Sequence, residues 1–91
     1  MNKKTSEFNR EFAKQKNLTF KRDNFKCLVL GSHFGKLTVD HIRKRSLGGD
    51  NDLKNLITLC VGCHSVYEVM PNKVKEKLLY HILDKRYNYE Y

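Results

Sequence analysis

The segment from Val39 to His64 constrains this chain more than any other, because it gathers most of the side chains that could do chemistry. In chain order it contains Asp40, His41, Gly48, Gly49, Asn55, Cys60, Cys63 and His64. An acid beside a histidine offers a metal ligand next to a base, and two successive glycines permit a tight loop. The rest of the chain is therefore expected to position this segment.

Length and charge restrict both the architecture and the partner. A chain of 91 residues is expected to form a single domain over 1–91, with a small core that a metal could reinforce. The formal net charge is +8 and the sequence pI is about 9.5, which favours a polyanionic partner, in the first place DNA. The sequence shows neither an apolar run of about 20 residues nor an apolar signal core. We therefore expect a soluble, cytoplasmic protein with no membrane partner.

The spacing of apolar residues predicts short helices and strands. Phe8 and Phe12 lie four apart, as on one face of a helix, and apolar and polar residues alternate after Lys36, as in a strand. The predicted elements are a helix over 5–16, a strand over 36–43, a second strand over 55–59, a helix from 60 to about 70 and, after Pro71, an amphipathic helix over 72–86. Over 18–27 the pattern does not distinguish a helical turn from extended chain.

The last predicted helix is expected to close the core. Its apolar positions recur three and four apart and are Val74, Leu78, Leu79, Ile82 and Leu83. Binding to a membrane or to a partner helix is the alternative for such a face. The first helix is likewise expected to pack against the core rather than to serve as a DNA-contacting arm.

The side chains of the central segment suit the hydrolysis of a phosphodiester. This reaction needs an activated water, relief of charge on the phosphoryl group and a stabilised leaving oxygen; one metal supplies the last two if an imidazole deprotonates the water. Asp40 offers a hard oxygen ligand and His64 a nitrogen ligand, while His41 is suited to the role of base. Neighbouring strand residues point to opposite faces, so Asp40 and His41 can share a site only at a bend or at the strand's edge.

Together these residues resemble the HNH endonucleases, whose site is a ββα-metal finger. The matching residues are Val39-Asp40-His41-Ile42, Gly48-Gly49, Asn55-Leu56, Leu59-Cys60 and Cys63-His64. The stretch from Arg22 to Gly31 is similar to the lead-in of that motif. The resemblance implies an α+β fold with a ββα-metal core at about 18–70, preceded by a helical segment and followed by the helix over 72–86.

The resemblance also implies a role for each matching polar residue. His41 is then the general base, Asp40 and His64 bind a catalytic divalent ion, and Asn55 holds the loop by backbone hydrogen bonds and so orients the base. The ion is Mg²⁺, Mn²⁺, Ni²⁺ or Zn²⁺, among which such a ligand pair does not choose. The implied function is metal-dependent cleavage of DNA, by nicking or by cutting both strands.

One departure from the family pattern concerns a second metal. Many relatives bind a structural zinc through two C-x-x-C pairs, and here Leu30 stands where the second cysteine of the first pair is expected. Cys27, Cys60 and Cys63 can still bind zinc if His33 or water is the fourth ligand. In the alternative, the thiols pack with Leu30 as an apolar cluster.

A second departure lies beside the predicted base. Lys44 occupies a position where proline is common, and it completes a basic run from Arg43 to Arg45. This run is either a phosphate-binding element or a solvated loop. Glu68 lies four residues after His64, and so on the same helix face, where it is a third ligand, a group that orients the imidazole, or an exposed side chain.

Two further functions fit the same pattern. One is a catalytically silent basic module that binds DNA or positions another enzyme; the other is an RNA-cleaving enzyme, since both nucleic acids present phosphates to a basic surface. One site per chain would nick, so cutting both strands requires a homodimer or two encounters. Small relatives act in restriction, in homing or in phage packaging complexes, and the sequence does not choose among these settings.

Overall fold

The protein is represented by a computed structural model, which describes residues 3–32 and 35–91. His33, which the sequence offered beside water as a fourth zinc ligand, lies outside the described residues. In chain order the helices and strands are α1 (Lys3–Arg22), β1 (Leu37–His41), β2 (Leu56–Cys60), α2 (Val61–Glu68) and α3 (Asn72–Tyr87). The predicted α+β class is thereby confirmed. Within 3–32 and 35–91, none of the helices combines the length and the apolar character needed to span a membrane.

A β-hairpin and the helix that follows it form the centre of the fold. β1 pairs with β2 in antiparallel register, with Leu37 opposite Cys60 and His41 opposite Leu56. β1 is shorter than the predicted strand over 36–43. At the loop end of the hairpin one further bond continues the pairing, from the backbone N–H of Ile42 to the carbonyl of Asn55. α2 begins directly after β2, so the chain folds back over the hairpin as a ββα unit.

The first helix is longer than the predicted helix over 5–16. α1 continues through Arg22, and the chain then turns through Asn24 and Phe25, both at positive φ, toward Cys27. The ambiguous stretch over 18–27 is therefore helical in its first half and a turn in its second. Local pattern could not show this, because the last helical turn is secured by contacts to distant parts of the chain.

α3 closes the core, but only part of the predicted apolar face is buried: Leu79 and Leu83 lie in the core and Ile82 packs against it. Val74 and Leu78 are 46% and 43% exposed. Lys75 is instead only 1% exposed. The apolar repeat defines two adjacent stripes on the helix, and the one that contains Lys75, Leu79 and Leu83 is the one in contact with the hairpin.

An ion pair at the end of α1 joins it to β2 and α3. The guanidinium of Arg22 lies 2.7 Å from the fully buried carboxylate of Asp23 and donates to the carbonyl of Leu56. Asp23 accepts from the backbone N–H of Thr58 at 3.0 Å and from the hydroxyl of Tyr87. Burial alone would lower the pKa of Arg22, but the Asp23 carboxylate outweighs it and raises that pKa above its usual range.

Replacement of Asp23 by alanine should destabilise the fold strongly. The change leaves a largely buried guanidinium without its anion and a buried backbone N–H on β2 without its acceptor. A broken buried pair costs about 3–5 kcal/mol in free energy of unfolding, which urea denaturation followed by circular dichroism would measure. Lys21→Ala, at an exposed position on the same helical turn, should remain within about 0.5 kcal/mol of wild type. A comparable loss in both variants would contradict the anchoring role.

Candidate active site

A histidine and two carboxylates converge between β1 and α2. His64 Nε2 lies 4.0 Å from Asp40 Oδ1 and 3.6 Å from Glu68 Oε2. The ligand atoms of Asp40, His64 and Glu68 all lie within 4.8 Å of one another. Asp40 is 6% exposed, whereas Glu68 remains exposed at the rim. The structure thus brings together the two predicted metal ligands and adds the glutamate one helical turn further on.

The hydrogen bonds around His64 determine which of its nitrogens carries a lone pair. The hydroxyl of Thr38 donates its only proton to the carbonyl of Leu59 at 3.0 Å. Its oxygen lies 3.0 Å from His64 Nδ1, so it must accept a proton from that nitrogen. In the neutral ring, Nε2 then presents its lone pair to the two carboxylates. One imidazole nitrogen and two carboxylate oxygens suit each of the four divalent ions named above.

The other predicted reactive residue, His41, lies on the opposite side of β1. It is the last residue of the strand, and its ring packs against α1, with centroid distances of 4.5 Å to Phe12 and 5.9 Å to Phe8. Asp40 faces α2 and α3 instead. The alternation of a strand separates the two side chains, as the sequence indicated, and His41 lies at the strand's end.

Asn51 determines the tautomer of His41. Asn51 is fully buried, its Oδ1 lies 2.8 Å from His41 Nε2, and its Nδ2 donates to the carbonyl of Phe8 at 3.1 Å. A carbonyl can only accept, so the amide must present its oxygen to the imidazole. Nε2 therefore carries the proton in the neutral ring. The lone pair that could accept a proton from water is on Nδ1.

Asn55 lies at the end of the loop between the strands, and its side chain forms hydrogen bonds with backbone groups near both ends of that loop. Its Oδ1 accepts from the N–H of Arg43 and from the hydroxyl of Tyr80, both at 2.8 Å. Its Nδ2 donates to the carbonyls of Arg43 and Asp50. With these four bonds Asn55 closes the loop that carries Asn51. A loop this tight also requires Gly49, where a Cβ would lie 1.8 Å from a backbone oxygen.

The basic run beside the site is occupied by partners within the protein. Arg43 forms an ion pair with Glu76 at 3.0 Å, and Lys44 lies 3.9 Å from Glu68. The guanidinium of Arg45 lies 4.0 Å above the ring of Phe8. These side chains surround the reactive residues but are not free, so an incoming phosphate would have to exchange with their present partners.

The three cysteines form a second cluster, at the other end of the hairpin. The sulfurs of Cys27, Cys60 and Cys63 lie within 4.8 Å of one another. Burial and the neighbouring sulfurs raise the pKa of Cys63 to about 12; at Cys27 the effect of burial is outweighed by backbone N–H groups, which lower the pKa. Cys27 and Cys63 are buried in the apolar core, as the predicted alternative had it, but Leu30 is 65% exposed and takes no part in that cluster. Three converging sulfurs remain a suitable ligand set for zinc.

The segment that contains both clusters matches a known family. Residues 27–68 match the family model described as HNH endonuclease. The predicted resemblance is confirmed over this segment. The matched segment includes Asp40, His41, Asn55 and His64. It contains β1, β2 and α2, whereas α1 and α3 lie outside it.

A curated protein also matches part of the chain. It is named Anaredoxin, from Nostoc sp. (strain PCC 7120 / SAG 25.82 / UTEX 2576), and it is 34% identical over 45 residues. The aligned part is 50% of this chain and 59% of that protein, so the chain spans less than two thirds of the relative's length. No solved structure matches the chain significantly.

Three residues of the site were missed by sequence reasoning. Thr38 had a signal, since it lies two before Asp40 and must share its face of the strand. Asn51 lies among other polar loop residues, and nothing in the pattern separates it from them. Lys75 was counted only as a polar position of the last helix, although its ammonium lies 2.9 Å from Asp40 Oδ2.

Removal of the Thr38 hydroxyl should weaken metal binding. In Thr38→Val, His64 loses the acceptor that holds Nδ1 protonated, and loss of such an outer-shell partner typically costs about 10–100-fold in metal affinity. Calorimetric titration with Mn²⁺ would measure the change. Thr58→Val on β2 is the matched control, because among the described residues the Thr58 hydroxyl is buried without a hydrogen-bond partner. Equal affinities in the two variants would argue against the role of Thr38.

Replacement of Asn51 by leucine should allow the neutral ring of His41 to adopt either tautomer. At a pH where the ring is neutral, ¹⁵N–¹H correlation spectra should show Nε2–H alone in wild type and a mixture of tautomers in Asn51→Leu. The variant should also lose about 1–3 kcal/mol of stability, because the carbonyl of Phe8 and the imidazole lose their partner. Asn17→Leu, at an exposed position on α1, should leave the spectrum of His41 unchanged. Retention of pure Nε2–H in Asn51→Leu would contradict the assignment.

Proposed function

We propose that this chain is a metal-dependent endonuclease that hydrolyses phosphodiester bonds of DNA, with 1–91 as one nuclease domain. The supporting observation is the convergence of the His64 Nε2 lone pair with the carboxylates of Asp40 and Glu68, in a segment that matches the HNH endonucleases. The net charge of +8 favours a polyanionic substrate.

In the proposed reaction the protein holds a cation and moves a proton. Asp40 and His64, with Glu68 as a third ligand, would hold the divalent ion, which when bound supplies charge neutralisation at the phosphoryl group and at the leaving oxygen. His41 accepts a proton from the attacking water through Nδ1. The water oxygen bonds to phosphorus, the ester P–O bond breaks, and the leaving oxygen takes up a proton from solvent water. Asn51 keeps the His41 ring in the tautomer that this step requires.

The basic run is proposed to bind phosphates on either side of the scissile bond. The run follows the predicted base in sequence and consists of Arg43, Lys44 and Arg45. Each of these cations could exchange its present acidic or aromatic partner for a phosphate and so keep a binding partner. A single site of this kind nicks one strand. Double-strand cleavage would require a homodimer or assembly into a larger nuclease complex.

A structural zinc ion is proposed at the cysteine cluster. Cys27, Cys60 and Cys63 supply three converging sulfurs, and sulfur is a preferred ligand type for structural zinc. Zinc there would tie the turn before β1 to the junction of β2 with α2, which strengthens a small core.

Plasmid nicking would test the nuclease proposal. Wild type should convert supercoiled DNA to open circle in Mg²⁺, Mn²⁺, Ni²⁺ or Zn²⁺, and EDTA should stop the reaction. His41→Ala should be slower by about 100-fold or more, the usual contribution of a positioned base. His81→Ala, at an exposed histidine on α3, should cleave as wild type does.

Gel shifts and an RNA substrate would separate the alternatives. Retention of DNA binding by His41→Ala shows that the loss is catalytic. If wild type and variant bind DNA equally and neither cleaves with any ion, the chain is a binding module and the nuclease proposal is wrong. Cleavage of RNA in preference to DNA would reassign the substrate while keeping the catalytic site.

A further inference from the structure

The ammonium of Lys75 is buried among the candidate metal ligands. Its Nζ lies 2.9 Å from Asp40 Oδ2, 4.0 Å from Glu68 Oε2, and within hydrogen-bonding distance of the His41 carbonyl at 3.2 Å. The neighbouring lysines on α3, Lys73 and Lys77, are exposed. Burial of an ammonium is costly unless anions and acceptors compensate, and here the compensating anions are the proposed ligands themselves.

The two carboxylate oxygens of Asp40 face different groups. Oδ2 faces Lys75, in an ion pair that lacks the alignment of a hydrogen bond. Oδ1 faces His64 Nε2 at 4.0 Å. This distance is too long for a hydrogen bond, but it is within the range for two ligands of one ion, each about 2.0–2.2 Å from it. Oδ1 is therefore the oxygen left available to a cation.

We propose that Lys75, through its charge beside Oδ2 of Asp40, holds the affinity of the site for divalent ions low. The inference rests on the proposed metal-dependent function. Without an ion, the ammonium offsets the charges of the Asp40 and Glu68 carboxylates. An arriving cation meets a like charge on the far side of Asp40, which weakens its binding.

The source of this charge lies outside the part of the chain that matches the family. The match ends at residue 68, and Lys75 belongs to α3, which begins at Asn72. α3 therefore contributes to the site as well as to the core, because the helix face that carries Leu79 and Leu83 also carries Lys75.

Mn²⁺ titration of charge-removing variants would test the proposal. Lys75→Met retains an unbranched side chain of similar length and removes the ammonium, and Lys73→Met removes the same charge from the exposed side of α3. We expect Lys75→Met to bind Mn²⁺ about tenfold or more tightly than wild type, and Lys73→Met to stay within about twofold. Mn²⁺ is the chosen probe because it prefers oxygen and nitrogen ligands to the thiols of the cysteine cluster.

The direction of the change separates this role from a structural one. If Lys75 only supports the fold, its loss displaces Asp40 and weakens Mn²⁺ binding. Affinity in Lys75→Met equal to or below that of Lys73→Met therefore overturns the proposal. If circular dichroism shows that Lys75→Met does not fold, Lys75→Gln is compared with Lys73→Met instead, because glutamine retains a hydrogen-bond donor without the charge. Unchanged affinity in a folded Lys75→Gln also overturns it.

The nicking assay distinguishes this proposal from the nuclease function. Tighter Mn²⁺ binding by Lys75→Met, in a protein whose wild type cuts no nucleic acid, refutes the nuclease and leaves the role of Lys75 standing. Metal-dependent cleavage by wild type without tighter binding by the variant refutes the role of Lys75 alone. Absence of Mn²⁺ binding by wild type and every variant overturns the role of Lys75, and the nicking assay with the other three ions then decides the nuclease function by itself.

Discussion

The alternation of side chains along β1 determines how the rest of the site is arranged. Asp40 and His41 are neighbours in sequence, but a strand sends them to opposite faces. Asp40 therefore meets α2, and His41 meets α1. The reactive groups form two halves separated by one strand, and each half needs its own supporting element. The hairpin register, with Asp40 opposite Ile57 and His41 opposite Leu56, places both halves at the end of the sheet where the long loop begins.

The supporting contacts of the two halves come largely from helices that lie outside the family match. α1 contributes the rings of Phe8 and Phe12 against His41, and its backbone holds Asn51. α3 contributes Lys75 at Asp40 and Tyr80 at Asn55. The ββα unit alone would leave Asn51 and Asp40 without these partners. The flanking helices are thus part of the site and not only a cover for the core.

A small core depends on a few strong connections. The Arg22–Asp23 pair ties α1 to β2 and α3 through buried bonds to Thr58 and Tyr87, and the cysteine cluster lies where the turn at Cys27 meets β2 and α2. Both connections use polar or ionisable groups, because little apolar area is available to 91 residues. Such groups are stable when buried only if each has its partner, which explains the dense pairing around α1 and α3.

The α+β class, the hairpin, the two following helices and the resemblance to HNH endonucleases could all be predicted from the sequence. Apolar spacing and turn residues are local properties, and the motif from Asp40 to His64 lies within one short segment. The proposed roles of His41, Asp40, His64 and Asn55 remain predictions. The length of α1 was not predictable, because contacts of Arg22 and Asp23 with β2 and α3 secure its last turn. The buried face of α3 was not predictable either, because the apolar repeat was compatible with two adjacent stripes of the helix.

What only the tertiary structure decided is which polar groups complete the site. By itself, the sequence determined which residues are the candidates for the reactive roles, since their identities and spacing are carried within one segment. It could not single out Asn51 or Lys75, because an asparagine in a polar loop and a lysine on a helix look like ordinary surface residues. Their environment depends on where α1 and α3 pack, and packing brings together residues far apart in the chain. Asn51 and Phe8 are joined by one hydrogen bond, and Lys75 and Asp40 by one ion pair, and neither contact leaves a local pattern in the sequence.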